Sequence, residues 1–376
     1  MASLTAIGLM SGTSYDGIDV ALIETDGEQI GRLGTSGYRP YSEAEREQIR
    51  HAIAAASNLT DPLVERPKVL AEVEEAVTDM HAEAIEAFLA ANGMPANEID
   101  VVGFHGQTVL HRPDRRLSIQ LGKGRALAAR LGIAVVYDFR AADIAAGGQG
   151  APMVPIFHRA MVRILERAHP VAVLNVGGVA NVTFIDGDDL VAFDVGPGNA
   201  LIDDFLRLRT GQLQDDEGRC AAAGRVDEKA VERVLLHAFF ARPAPKSLDR
   251  NAFRHWVSEE GGLANKSTED GAATLSAITA AAAARSIEAL PRVPRSWIVA
   301  GGGTRNPTLM RMLAERLSPA QVDTASAVGW SAEALEAQAF AFLAVRTVKG
   351  LPITFPSTTG VARPLTGGVL VQDRAG

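Results

Sequence analysis

The sequence predicts an α/β protein of two similar lobes produced by internal duplication, with an active-site cleft between them. Three observations predict this. A strand, glycine turn, strand, Asp-Gly turn, strand series occurs twice, about 160 residues apart. Helical patterns follow each copy. Apolar residues are 47% of the 376 and charged residues 22%, enough apolar material for a core in each half.

In the first copy, Ala6 to Met10 leads into the turn Ser11 to Gly17, then an alternating run from Ile18 to Glu24, then Asp26-Gly27 and another extended segment. In the second, Val171 to Asn175 leads into Gly177-Gly178, then Asn181 to Ile185, Asp186-Gly187, and Leu190 to Asp194. Apolar spacing predicts helices over 43–56 and 68–91, and strand-like runs stand at 101–104 and 134–137. Further helices are expected at 200–209, 272–290, 308–317 and about 331–348. The 272–290 helix is alanine-rich, and Asn306-Pro307 marks the start of the next. A buried strand is expected at Trp297 to Ala300. The Gly, Ala and Pro-rich stretch 141–155 reads as the crossover, and 351–376 as a C-terminal extension. The expected lobes are therefore 1–140 plus about 350–376, and 141–349.

The net charge of −8 argues against nucleic acid or an anionic membrane as partner. It does not forbid a phosphate ligand, which a nest of backbone N–H groups can hold. The single cysteine, Cys220, permits no disulfide within the chain and no cysteine-based zinc site. No signal-peptide pattern and no membrane-spanning run is visible, so cytoplasm is the expected compartment. The oligomeric state stays open, a homodimer being one expectation.

The glycine turns carry the first chemistry. Glycine lets a phosphate approach the backbone closely, and Ser11, Thr13 and Ser14 add hydroxyl donors. One such turn reads equally well as a plain hairpin. Two at matching places of a repeat suit a polyphosphate gripped from both sides. Gly122-Lys123-Gly124 lacks the Ser/Thr and the spacing of a Walker A loop. Gly301-Gly302-Gly303, after a strand and before a helix, suits the wall of an adenosine site or a tight turn. Asp194, at a strand end beside Gly196-Pro197-Gly198-Asn199, is placed to act as general base. Asp16 and Asp19 flank the first turn, where either could hold magnesium through water or serve only as a turn former and a solvated strand position.

Several segments in register resemble the anhydro-N-acetylmuramic acid kinase family. They are Gly8 to Asp19, Gly103 to Thr108, Asp138 to Arg140, Ala145 to Pro152, Leu174 to Asn181, Phe193 to Asn199 and Gly301 to Gly303. That family has the actin-like ATPase (sugar kinase) fold, which agrees with the duplicated lobes. The resemblance implies that Gly12, Thr13, Ser14, Tyr15, Asp16, Gly17, Ile18 and Asp19 hold ATP phosphates, with Gly177, Gly178 and Gly301 to Gly303 completing the nucleotide site. It implies Asp194 as catalytic base, and Mg2+ with ATP as cofactors. Glu336 matches a family glutamate near the sugar, and His105, Gln107, Thr108, Arg140 and Gln149 are candidate sugar contacts. For His105 a hydrogen-bonded structural role competes with substrate contact. For Arg140 a structural ion pair competes with a sugar carboxylate. Lys246-Ser247-Leu248-Asp249-Arg250 departs from the commonest family form, and no contact is assigned there.

The implied activity is an ATP-dependent opening of 1,6-anhydro-N-acetylmuramic acid with phosphorylation of O6, giving N-acetylmuramic acid 6-phosphate and ADP in peptidoglycan recycling. In that sugar O6 is tied to C1 and carries no proton. Asp194 is therefore expected to activate a water that attacks C1, releasing O6 toward the γ-phosphate. Rival readings are a kinase for another anhydrosugar such as levoglucosan, and a non-catalytic actin-like ATPase whose turnover ignores sugar.

Overall fold

The computed structural model describes residues 2–12, 15–61, 67–248 and 250–372, with residues 250–252 described by backbone only. Strands β1 (Leu4–Ser11), β2 (Gly17–Thr25) and β3 (Ile30–Pro40) form an antiparallel meander. At the β2–β3 turn, Asp26 accepts from the N–H groups of Glu28 and Gln29, at 2.9 and 2.8 Å, so the carboxylate replaces backbone partners. Helix α1 (Glu43–Ala56) opens with a capping box between Ser42 and Glu45, and α2 (Lys68–Asn92) ends on left-handed Gly93. Strand β4 (Val101–Arg112) lies parallel to β1, and β5 (Leu117–Leu121) folds back on it. Helix α3 (Gly124–Leu131) leads to β6 (Val135–Tyr137), parallel to β4. Helices α4 (Ala141–Ala145) and α5 (Pro155–Arg163) follow.

The series then repeats. Strands β7 (Val171–Val176), β8 (Val179–Asp186) and β9 (Asp189–Pro197) form a second meander. Helices α6 (Ala200–Thr210), α7 (Arg219–Ala223), α8 (Glu228–Leu235), α9 (Arg250–Glu260) and α10 (Thr268–Ser286) come next. Strand β10 (Ser296–Ala300) is parallel to β7; helix α11 (Pro307–Leu317) and strand β11 (Gln321–Thr324), parallel to β10, complete the set. Last come α12 (Leu335–Val348), α13 (Pro356–Thr359) and β12 (Val369–Val371). The first sheet runs β12-β6-β4-β1-β2-β3 and the second β11-β10-β7-β8-β9. Apart from β5 and β12 in the first sheet, the two share one order and one set of strand directions. This is the duplication that the paired turns predict.

The chain divides into two units, Met1–Ile164 with Glu333–Gly376, and Leu165–Ala332. The expected lobes put 141–164 and 333–349 in the second half; by contact both segments lie with the first. The reason for α12 is backbone packing. A Cβ at Gly8 of β1 would stand 1.8 Å from Ala337 O, and one at Gly103 of β4 2.1 Å from Phe340 O, so α12 rests on β1 and β4 at glycine distance. Near the C-terminus, β12 pairs antiparallel with β6 and so adds a strand to the first sheet.

In the second unit α10 is buried along nearly its whole length, which explains its alanines. Small side chains let a helix lie against its neighbours on all sides. Phe184, Phe193, Phe239, Phe253 and Trp297 fill the surrounding core.

Candidate active site

Asp194 stands on β9, opposite Asn181 of β8. The strand does not end there. The register shifts between Ala180 and Asn181, Val195 is the extra residue, and β9 runs on to Pro197. Such a bulge re-aims side chains beside it. The Asp194 N–H donates to Lys246 O at 2.9 Å, and its Oδ2 accepts from the Leu248 N–H at 2.8 Å. Burial raises the carboxyl to about 6, and the Leu248 hydrogen bond works in the opposite direction. A carboxylate that is ionised at neutral pH yet basic for an aspartate is suited to take a proton.

The glycine clusters of the second unit meet at the start of α6. The N–H groups of Gly198 and Asn199 donate to Gly178 O and Gly177 O, at 3.1 and 2.8 Å, and Asn199 Nδ2 donates to Val176 O. The glycines differ in what they serve. A Cβ at Gly198 would lie 2.2 Å from Gly177 O, one at Gly301 2.4 Å from Asn175 Oδ1, and one at Gly303 2.6 Å from Val176 Cβ. These three are glycine because the protein leaves no space. Gly177, Gly178 and Gly302 would meet nothing nearer than 3.4 Å. No packing demand explains their lack of a side chain, and approach by a ligand would.

In the first unit, the turn after β1 is held from beneath. Buried Ser11 bonds to the Tyr41 hydroxyl at 2.9 Å and donates to Gln107 Oε1. Gln107 Nε2 donates to Gly12 O at 3.2 Å and to Thr108 O at 3.3 Å. The Gln107 amide therefore serves the turn. Tyr15 takes positive φ of 42°, and its N–H donates to Gly12 O. Thr13 and Ser14 lie outside the described residues. Gly17 and Ile18 are already in β2, and Ile18 packs into the core, so only its backbone faces another role. Asp16 is exposed and Asp19 partly buried.

His105 and Arg140 come together. Arg140 donates to His105 Nε2 from Nη2 and Nε, at 3.0 and 3.3 Å, and from Nη1 to Gly150 O at 2.5 Å. The ring lies on Phe340 of α12, with centroids 4.5 Å apart. Burial, and then the Arg140 charge, hold His105 well below the usual histidine range, so the ring is neutral. With Nε2 accepting, its proton sits on Nδ1. His105 also lines a pocket of about 240 Å³ with Gln120, Gly122, Tyr137 and Asp138. Thr108 Oγ1 accepts from Gln120 Nε2. Asp143 accepts from Gly150 N and from Thr359 Oγ1, both at 2.6 Å, and Gln149 N donates to Thr359 O, so the 147–150 loop is pinned. Glu336, in the first turn of α12, is open to solvent. Surrounding protein raises its pKa, and the Arg140 charge opposes the rise.

Asp19 is raised to about 7, first by burial and then by the charges of Asp16, Glu336 and Glu333. The folded protein thus binds a proton that the unfolded chain releases near pH 4. Stability falls as pH rises from about 4 to about 7, and the whole penalty is present above that. Asp19→Asn removes it. Thermal melts of the variant are expected to exceed wild type by a few degrees at pH 8 and to coincide at pH 4; equal melts at pH 8 would exclude this electrostatic crowding.

Among the described residues no group of three or more His, Cys, Asp or Glu could hold a metal ion. Magnesium needs no such group, since one or two carboxylates with phosphate oxygens suffice. The excess negative charge around Asp19 fits a cation. Ser11, expected as a hydroxyl donor to phosphate, instead commits its hydroxyl to Gln107 and Tyr41 beneath the turn. Tyr41, Asn199, Asp143 and Lys246 are site-building residues that the sequence does not single out: Asn199 stands within a quoted motif, and Tyr41 and Lys246 act through distant partners that spacing does not reveal.

A family model described as anhydro-N-acetylmuramic acid kinase matches residues 4–373. Relatives of that name include proteins from Rhodopseudomonas palustris and Azorhizobium caulinodans, each 58% identical over 370 residues, covering 98% of this chain and 99% of the relative. One from Bradyrhizobium diazoefficiens is 57% identical over the same shares. Component A of (R)-2-hydroxyglutaryl-CoA dehydratase from Acidaminococcus fermentans aligns at 10% identity over 92% of this chain and 99% of its own, with a TM-score of 0.49, a likeness too slight to argue from. With a family match along nearly its whole length and relatives well above half identical, the chain belongs to the anhydro-N-acetylmuramic acid kinase family.

Proposed function

We propose that this protein is an ATP-dependent kinase that hydrolytically opens the 1,6-anhydro ring of 1,6-anhydro-N-acetylmuramic acid and phosphorylates O6. The products are N-acetylmuramic acid 6-phosphate and ADP, as peptidoglycan recycling requires. The observation that carries the mechanism is Asp194, a half-buried carboxylate fixed by one backbone N–H and raised to about 6.

Asp194 takes one proton from a water. The water oxygen bonds to C1, and the C1–O6 bond breaks. O6, released with its electron pair, bonds to the γ-phosphorus, and ADP leaves. Asp194 then gives its proton to solvent, so sugar, ATP and water are consumed one for one. Glycosidic cleavage ordinarily needs an acid to protonate the departing oxygen. Phosphorylation of O6 takes that place here. Gly177, Gly178 and Gly302 have backbone open to close approach, which supports contacts to the nucleotide. In the first unit the Gly12–Asp19 turn, braced by Ser11, Tyr41 and Gln107, supports phosphate binding. Asp16 and Asp19 would hold Mg2+ through water, and the ion would neutralise phosphate charge. His105 and Arg140 are a fixed pair with Glu336's charge near the guanidinium, which supports a sugar-binding role. Cytoplasm, where ATP is available, is the compartment this reading requires. Among the described residues no helix is long and apolar enough to cross a membrane.

The test uses anhydro-N-acetylmuramic acid, ATP and 18O-water, with mass spectrometry of the product. Label on C1 and phosphate on O6 are expected. Label in the phosphate, or phosphorylation of the intact anhydrosugar, would refute the coupled mechanism.

A further inference from the structure

Lys246 is 8% exposed, and among the described residues the charged groups acting on it include no carboxylate. Its ammonium donates to Phe239 O and Phe240 O, both at 3.2 Å, and lies 4.8 Å from the Phe239 ring centroid and 5.5 Å from that of Phe193. Burial lowers its pKa, and the like charges of Arg242 and Arg285 lower it further. Among the described residues, carbonyl dipoles and aromatic faces are thus what holds this buried cation.

The segment it anchors explains the arrangement. Phe193 precedes Asp194 on β9, so the ammonium touches the strand that carries the acid. Lys246 O accepts from the Asp194 N–H, and two residues later the Leu248 N–H donates to Asp194 Oδ2. The 246–248 segment therefore clasps Asp194 at backbone and side chain, and its own fixed point is the Lys246 ammonium. We infer that Lys246 is a positioning residue for Asp194: it holds the Leu248 N–H on Oδ2 and thereby leaves Oδ1 as the oxygen that receives the proton from water. This rests on the reading of Asp194 as base.

Lys246→Met keeps the length and apolar stem and removes the ammonium. Leu248→Pro removes the N–H at the other end of the clasp, while also fixing φ there and restraining Ser247. Both are compared with wild type in steady-state pH profiles, with circular dichroism to follow folding. For each, kcat is expected to fall roughly tenfold, with little change in KM for ATP or sugar. The acid limb is expected to move up by about one pH unit, because the ionised carboxylate loses a donor. A role in stability alone lowers the melting temperature and leaves that limb in place. An unmoved acid limb in both variants overturns the inference, whatever the change in stability. Asp194→Asn run alongside separates the two levels. If it is inactive while the limb is unmoved in both variants, only the positioning role falls; if it is fully active, the base assignment falls with it.

Discussion

Asp194→Asn is expected to lower sugar-dependent ADP formation by about 10²–10⁴-fold, the contribution a positioned general base makes. The substitution is nearly isosteric. Its amide oxygen can still accept from Leu248 N–H, so the 246–248 segment keeps its clasp and the fold is expected to survive. KM for ATP is expected to change little, since the glycine backbone proposed to bind the nucleotide is untouched. In wild type, kcat is expected to fall with acid through an apparent pKa of about 6, because burial has raised the carboxyl to that value and only the ionised form accepts a proton. The variant loses that limb together with its rate. Coupled-enzyme detection of ADP across pH 5 to 8 checks both. A variant that retains near wild-type turnover would remove Asp194 from the mechanism.

Gly8→Ala and Gly103→Ala are expected to destabilise the first unit by about 3 kcal/mol or more each. A new Cβ would lie 1.8 Å from Ala337 O in one case and 2.1 Å from Phe340 O in the other. Both obstacles are helix backbone, so no rotamer change relieves the clash. Either α12 must lift from β1 and β4 or the strands must bend. Because α12 also carries Phe340 beneath His105 and Glu336 near Arg140, activity is expected to fall with stability. Gly178→Ala is the contrasting case. Its nearest neighbour would be Ala200 Cβ at 3.4 Å, an ordinary contact. Stability is expected to stay within about 0.5 kcal/mol, while KM for ATP rises. Urea melts and ATP titrations on the three variants separate glycines needed for packing from glycines needed for approach. A stable Gly8→Ala protein, or a Gly178→Ala protein with unchanged KM, would contradict this division.

Much of the architecture is written in the order of residues. The paired turns at Ser11–Gly17 and Gly177–Gly178, each followed by an Asp-Gly turn, announce two meanders, and the sheets repeat one strand order as those turns require. These signals are local: alternation, turn chemistry and helical spacing act through a few neighbouring residues. The acid at Asp194 and the glycine clusters were visible for the same reason. Short elements are not: β5 alternates apolar and polar residues over only Leu117–Leu121, α3 is also brief, and α5 begins at Pro155 inside a segment that reads as a crossover.

What only the tertiary structure decided is which distant segments share a surface. The sequence of α12 states that it is a helix and not where it lies. Gly8 and Gly103, far away in the chain, give it a bed on the first sheet. Gln107 reads as a polar motif residue, yet its amide is engaged by Ser11 and Gly12. Lys246 reads as a charged loop residue, yet it sits buried among carbonyls and rings behind Asp194. Backbone preference is set within a turn or two of chain. Close packing and buried hydrogen bonds are set by whatever the folded chain brings within about 4 Å, and spacing along the sequence does not encode that distance.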